Sequence, residues 1–230
     1  MKRPSGKKFT MIEAGLFAAV SALMMILSVS AAQSAAARGK SVTCQDRLKA
    51  IGAAAVLYGN DNLGFIPCRV RNPKTGSVSD FGNWLNIWGP ALIWGGYFGK
   101  KPDSSYAKMI SRIRGQYFGC PDDFDLNSRP PSAGSYVIFT INRIEADSNP
   151  RYGFSGSDYS RINLKQDRPE NSICFDLFPY PGSSWKKAVH GKTANVLHLG
   201  GNVNQINIGR AARHPRLYQW IGEEMDGIEL

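Results

Sequence analysis

The sequence is short of the residues that most often carry catalysis. It holds three histidines, His190, His198 and His214, with no carboxylate cluster beside them. No Ser or Cys sits in a nucleophile-elbow pattern, so nothing here predicts an enzyme, and no cofactor is called for. No two of the four cysteines, Cys44, Cys68, Cys120 and Cys174, form a C-x-x-C pair, and the histidines are not spaced with them as in a zinc site. Basic residues outnumber acidic ones, 28 to 18, for a net charge of +10, yet they form no run beyond pairs such as Lys7-Lys8 and Lys186-Lys187. That scatter argues against nucleic acid as a partner and for a basic, solvated surface. No internal repeat or low-complexity linker divides the chain.

Charge is also missing from Ala14 to Ala32, and that absence is informative. An apolar helix of this length crosses a hydrocarbon core of ~30 Å at ~1.5 Å per residue. Glu13 stands at its edge, where an acid costs free energy unless something uses it. A secretory signal peptide explains the small residues of "SVSAAQSAAA" but not Glu13. A plain single-pass anchor explains the length but again not the acid. After roughly the first 40 residues, about 190 remain, enough for one domain with a real core. Aromatic residues, Gly and Pro are plentiful there, which suits a loop-rich extracytoplasmic domain.

Beyond the apolar run, Leu48, Ile51, Ala55 and Tyr58 recur at helical spacing. The pattern predicts one long helix from Phe9 to Tyr58, apolar all round in its first half and amphipathic in its second. "GNDNLG" stops it, because Gly and Asn accept the left-handed conformation that ends helices. Downstream, "GSYVIFTI" (Gly134 to Ile141), "NSICFDLF" (Asn171 to Phe178) and "TANVLHL" (Thr193 to Leu199) read as strands. "GGN" followed by "VNQINI" (Val203 to Ile208) adds a hairpin whose two glycines accept positive φ angles. The expected fold is α+β: a long N-terminal helix packed on an antiparallel sheet. Trp84 and Trp88, spaced one helical turn apart, form either a stacking platform or core beneath a loop, with core favoured. Asp122, Asp123, Asp125 and Asn127 offer alternating oxygens as a calcium loop does, without the Gly and Glu an EF-hand needs. His190 reads as a turn or packing residue at the start of the hairpin.

The N-terminal stretch "KKFTMIEA" resembles the class III signal of type IV pilins and type II secretion pseudopilins, the prepilin-type cleavage/methylation motif. In that family a basic leader is cut before Phe, and a Glu follows at the fifth mature position. The resemblance implies a cut between Lys8 and Phe9 and an assembly role for Glu13. Lys8 stands where the family has Gly, and Ser30 where many members have Pro. "CQDRLKAIGAAAVLYGNDNLGFIP" (Cys44 to Pro67), "CPDD" (Cys120 to Asp123) and "HGKTANVLHLGGNV" (His190 to Val203) resemble three further landmarks of a large pilin-like bacterial group. There Gly200 and Asn202 replace the usual Asp and His.

The likeness implies a basic leader (1–8), a membrane-spanning assembly helix (9–32), its continuation (33–59) and an extracytoplasmic head (60–230). It implies a protein of the bacterial inner membrane with its N-terminus in the cytoplasm. Its implied partners are a prepilin peptidase and other pilin or pseudopilin subunits. Export and the even cysteine count imply at least one disulfide, with Cys44 and Cys120 as partners because both lie in matching motifs. The alternative is a permanently anchored binding module that does not polymerise.

Overall fold

A computed structural model of the chain describes residues 10–99, 105–130, 132–149, 152, 156–180, 183, 185, 187–214 and 216–227. The chain forms two compact units, Met1–Gly39 and Lys40–Leu230. Helix α1 (Met11–Asp61) runs through the described part of the first unit and opens the second. It therefore extends past Tyr58, and Phe9 lies outside the described residues. Gly64, at φ +93°, sends its N–H back to the Gly59 carbonyl at 2.7 Å and closes the helix end. The stop thus uses the glycine the sequence pointed to, and Leu63 shares the left-handed region at φ 56°, in place of an Asn.

The second unit is built on a six-stranded antiparallel meander in chain order: β1 (Val70–Asn72), β2 (Ser77–Trp84), β3 (Ala133–Ile141), β4 (Ser172–Asp176), β5 (Thr193–His198) and β6 (Val203–Asn207). The fold is thus α+β, a long N-terminal helix packed through its second half on an antiparallel sheet. Strands β3 to β6 fall where β-branched and aromatic residues predict them. Strands β1 and β2 are additional. The β5–β6 turn uses one positive φ, at Gly201 (+88°); Gly200 instead packs its backbone on Pro169, where an added Cβ would lie 3.0 Å from the proline Cβ.

Alternation along β3 divides the core between the two faces of the sheet. On one face, Tyr136, Ile138, Cys174 and Leu197 meet Cys44, Leu48, Ile51 and Ala55 of α1. Helices α2 (Leu85–Trp94) and α3 (Tyr106–Ile113) complete that layer. On the other face, Val137, Phe139, Phe175 and Val196 pack on Tyr159, Trp220 and Ile221. Short helices α4 (Arg143–Ser148), α5 (Gly156–Tyr159) and α6 (Leu217–Trp220) contribute there. Trp84 ends β2 and Trp88 lies in α2, so the two do not share a helix. Trp88 is fully buried in the core and presents no stacking platform.

Arg161 is fully buried on this second face. Its guanidinium lies 4.2 Å from the ring centres of both Phe139 and Tyr159, and its NH2 meets Asp226 Oδ2 at 2.9 Å. Asp226 Oδ1 also accepts the Ser172 N–H at 2.7 Å. One buried ion pair thus ties the C-terminal segment to the start of β4.

Candidate functional site

In the first unit, the start of α1 is a capping box. Thr10 Oγ1 accepts the Glu13 N–H at 3.2 Å, while Glu13 Oε2 accepts the Thr10 N–H at 2.9 Å and its hydroxyl at 3.0 Å. The opening acid has a local reason, since it satisfies a donor that the first helical turn leaves free. Lys8 and Phe9, the processing pair named from the resemblance, lie outside the described residues. After Glu13 the helix is long and apolar enough to cross a membrane. Leu16, Phe17, Leu23, Ile26 and Leu27 are each more than half exposed. Burying five such side chains is worth roughly 8–15 kcal/mol. A helix of this length and exposure suits a membrane span or a signal anchor.

In the second unit, Cys44, Cys120, Asp122 and His190, among the residues named from the sequence, meet in one cluster. Cys44 of α1 and Cys120 form a disulfide with Cα atoms 5.5 Å apart. Helix and loop reach each other because Arg47, one turn after Cys44, donates from NH1 to the Gly119 carbonyl. Cys68 and Cys174 are free; burial raises the Cys68 thiol to about 11, and Cys174 is wholly enclosed, so both are inert thiols.

His190 stands against the disulfide. Its Nε2 is 3.3 Å from Cys120 Sγ and 3.5 Å from Asp176 Oδ2, and its Nδ1 is 3.1 Å from Asp122 Oδ2. Burial lowers its pKa, against the pull of Asp122, so the ring is held neutral and Nδ1–H donates to Asp122. Lys40 Nζ, 3.0 Å from Asp122 Oδ1, balances that carboxylate. Thus His190 is the packing residue at the hairpin start that its position predicted, held by Asp122 through Nδ1 with Nε2 turned to the disulfide.

Asp176 and Asn195 are the residues that sequence reasoning missed. Both are fully buried on the α1 face of the sheet. Asp176 Oδ2 accepts the Asn195 backbone N–H at 2.7 Å and its side-chain amide at 2.8 Å. Burial nonetheless lifts its pKa to about 7, because the two donors offset only part of the lost hydration and Asp122 and Asp123 add like charge. Asn195 Oδ1 in turn accepts from Gln45 of α1 at 2.9 Å. The only signal for Asp176 was a lone acid inside the apolar run "ICFDLF".

The calcium candidates are otherwise engaged. Asp123 takes a two-pronged contact from Arg129 at 2.6 and 2.7 Å, and Asp122 is shared between Lys40 and His190. Asp125 and Asn127 are exposed; Asp125 precedes the 3-10 turn Leu126–Ser128 and Asn127 lies within it. Among the described residues these oxygens do not form one ligand group. Cys120, His190 and Asp122 have the connectivity of a nucleophile triad, but the sulfur is bonded to Cys44 and Cys120 is 3% exposed. In this state it is no nucleophile.

No protein-family model, curated protein or solved structure matches this chain. The shape of the class rests on the fold itself: a helix long and apolar enough to cross a membrane or act as a signal anchor, continuing into the core helix of an antiparallel head.

Proposed function

We propose that the chain is a pilin-like or pseudopilin-like subunit. It inserts in the inner membrane by its N-terminal helix, holds its head outside the cytoplasm, and joins a filament or secretion pseudopilus through the apolar half of α1. The observation that carries this reading is the division of labour within one helix. Its first half exposes large apolar side chains, and its second half buries Cys44, Leu48, Ile51 and Ala55 under a sheet. The resemblance of "KKFTMIEA" adds the processing step by a prepilin peptidase before Phe9. A new α-amine would then lie about one helical turn from Glu13, ~6 Å along the axis. At an effective dielectric of ~20, such a pair at ~4 Å attracts by about 4 kcal/mol before desolvation is subtracted. Glu13 of one subunit and the Phe9 amine of the next set the axial register.

Glu13→Gln tests this cleanly, because Gln serves the capping box as Glu does while removing the charge. The variant is expected to insert and fold its head, yet to lose crosslinking between subunits and incorporation into polymer. Unchanged incorporation would remove the register role. It would favour the second reading, a permanently anchored extracytoplasmic binding module. That reading draws on Glu13 already being satisfied by Thr10 within its own chain and on Lys8 in place of Gly.

A further inference from the structure

We propose that Cys44, Cys120, His190 and Asp176 form a latent zinc site in the reduced chain, so that the link between α1 and the loop before β3 exists in either redox state. Each residue offers one donor atom, and the four atoms lie within 4.8 Å of one another. A tetrahedral zinc site, with Zn–S of about 2.3 Å and Zn–N or Zn–O of about 2.0–2.1 Å, has edges of roughly 3.3–3.8 Å. His190 Nε2 already sits 3.3 Å from Cys120 Sγ and 3.5 Å from Asp176 Oδ2. Two sulfurs released from their bond separate to about the same edge. Reaching the full tetrahedron requires side-chain adjustments of ~1 Å, without moving a strand.

Three independent features fit a metal. His190 is oriented from behind: Asp122 holds Nδ1 and leaves the Nε2 lone pair facing the sulfurs, as an acid does behind a metal-bound imidazole. Asp176 is fully buried, and its Oδ1 has no hydrogen-bond partner among the described residues, so the carboxylate keeps an oxygen that a cation can engage by a small rotation while Oδ2 stays with Asn195. Two thiolates, one imidazole and one carboxylate form a donor set that suits zinc and not calcium or magnesium, which prefer all-oxygen shells. Two thiolates and a carboxylate leave one negative charge on the occupied site, and Lys40, through Asp122, is the nearby cation.

The chemistry needs two external reactants, Zn²⁺ and a two-electron oxidant of the disulfide class. The chain is synthesised with thiols, and Zn²⁺ forms two Zn–S bonds as two thiol protons leave. An oxidant of the disulfide class later removes two electrons from the thiolates. The Cys44–Cys120 bond then forms, the oxidant takes two protons from water and becomes a dithiol, and Zn²⁺ is released. This inference does not depend on polymerisation and survives the failure of the pilin reading.

The experiment uses the full chain in detergent, reduced with a phosphine that does not bind zinc and titrated with Zn²⁺ against a chromophoric chelator. Co²⁺ then serves as a spectroscopic probe. The reduced wild type is expected to bind one Zn²⁺ per chain and to show sulfur-to-cobalt charge transfer. The oxidised chain should bind none. His190→Ala should weaken binding at least tenfold, and Asp122→Asn should weaken it by about 10- to 100-fold through the orientation of His190. Binding no tighter than that of the Cys44→Ser/Cys120→Ser variant would overturn the proposal. So would a reduced head that loses its circular dichroism signal and does not regain it with Zn²⁺.

Discussion

Replacing Asp176 by Asn should make the head more stable above neutral pH, against the usual rule that losing a buried hydrogen-bonded residue destabilises. Burial raises this carboxyl from 3.8 to about 7. The folded state therefore binds the proton more tightly than the unfolded chain, and stability falls with pH between those values. At about 1.4 kcal/mol per pH unit, the charged form costs about 4 kcal/mol above pH 7. Below about pH 4 both states are protonated and the cost vanishes. Asn keeps an acceptor for the Asn195 N–H and side-chain amide, so the geometry at 2.7 and 2.8 Å can persist. His190 contributes with the opposite sign: its pKa is lowered in the fold, so its part of the stability rises with pH through the ordinary range near 6.5. Because His190 Nε2 lies 3.5 Å from Asp176 Oδ2, the same comparison in a His190→Gln background separates the Asp176 contribution from its coupling to the ring. Urea unfolding of the oxidised chain from pH 4 to pH 8 measures it. Asn at 176 should be near neutral or mildly destabilising at pH 4 and stabilising by up to about 4 kcal/mol at pH 8. An equal effect at both ends would refute the assignment of a strained buried carboxylate.

Two other substitutions probe the head. Cys44→Ser/Cys120→Ser opens a loop of 76 residues in sequence, worth about 4–5 kcal/mol by loop-closure entropy, and should lower the urea midpoint accordingly when a chelator is present; a loss under 1 kcal/mol would show that the link is idle. Asp226→Asn leaves the Arg161 guanidinium fully buried between two rings without its counter-ion, and should cost about 3–5 kcal/mol in thermal unfolding; an unchanged melting temperature would contradict the buried pair.

Much of the architecture was legible in the chain because local pattern and burial agree there. The helical period of Leu48, Ile51 and Ala55 survives in the buried face of α1, β3 to β5 are apolar enough to announce themselves, and β6 is announced by the glycine turn before it. Strands β1 and β2 were not legible. "VRN" is exposed at the sheet edge, and "SVSDFGNW" carries Gly, Asn and Asp that local propensity disfavours; its register with β3, from Ser79 opposite Ile141 to Gly82 opposite Ile138, imposes the strand. Spacing misled at Trp84 and Trp88 because the chain changes from strand to helix at Leu85. The Cys44–Cys120 link followed only from the resemblance, since four cysteines allow three pairings. Asp176 was hidden for a non-local reason: its partner Asn195 is 19 residues away, and His190 reaches Asp122 across 68. A lone acid in a strand shows its meaning only once the facing helix and loop are in place.

The N-terminal residue of the protein isolated from its native membrane tests the processing before α1 most directly. A processed subunit begins at Phe9, with the basic leader gone and Glu13 fifth in the chain. A protein that still begins ahead of Lys7-Lys8 would contradict the assembly account and leave a permanent anchor.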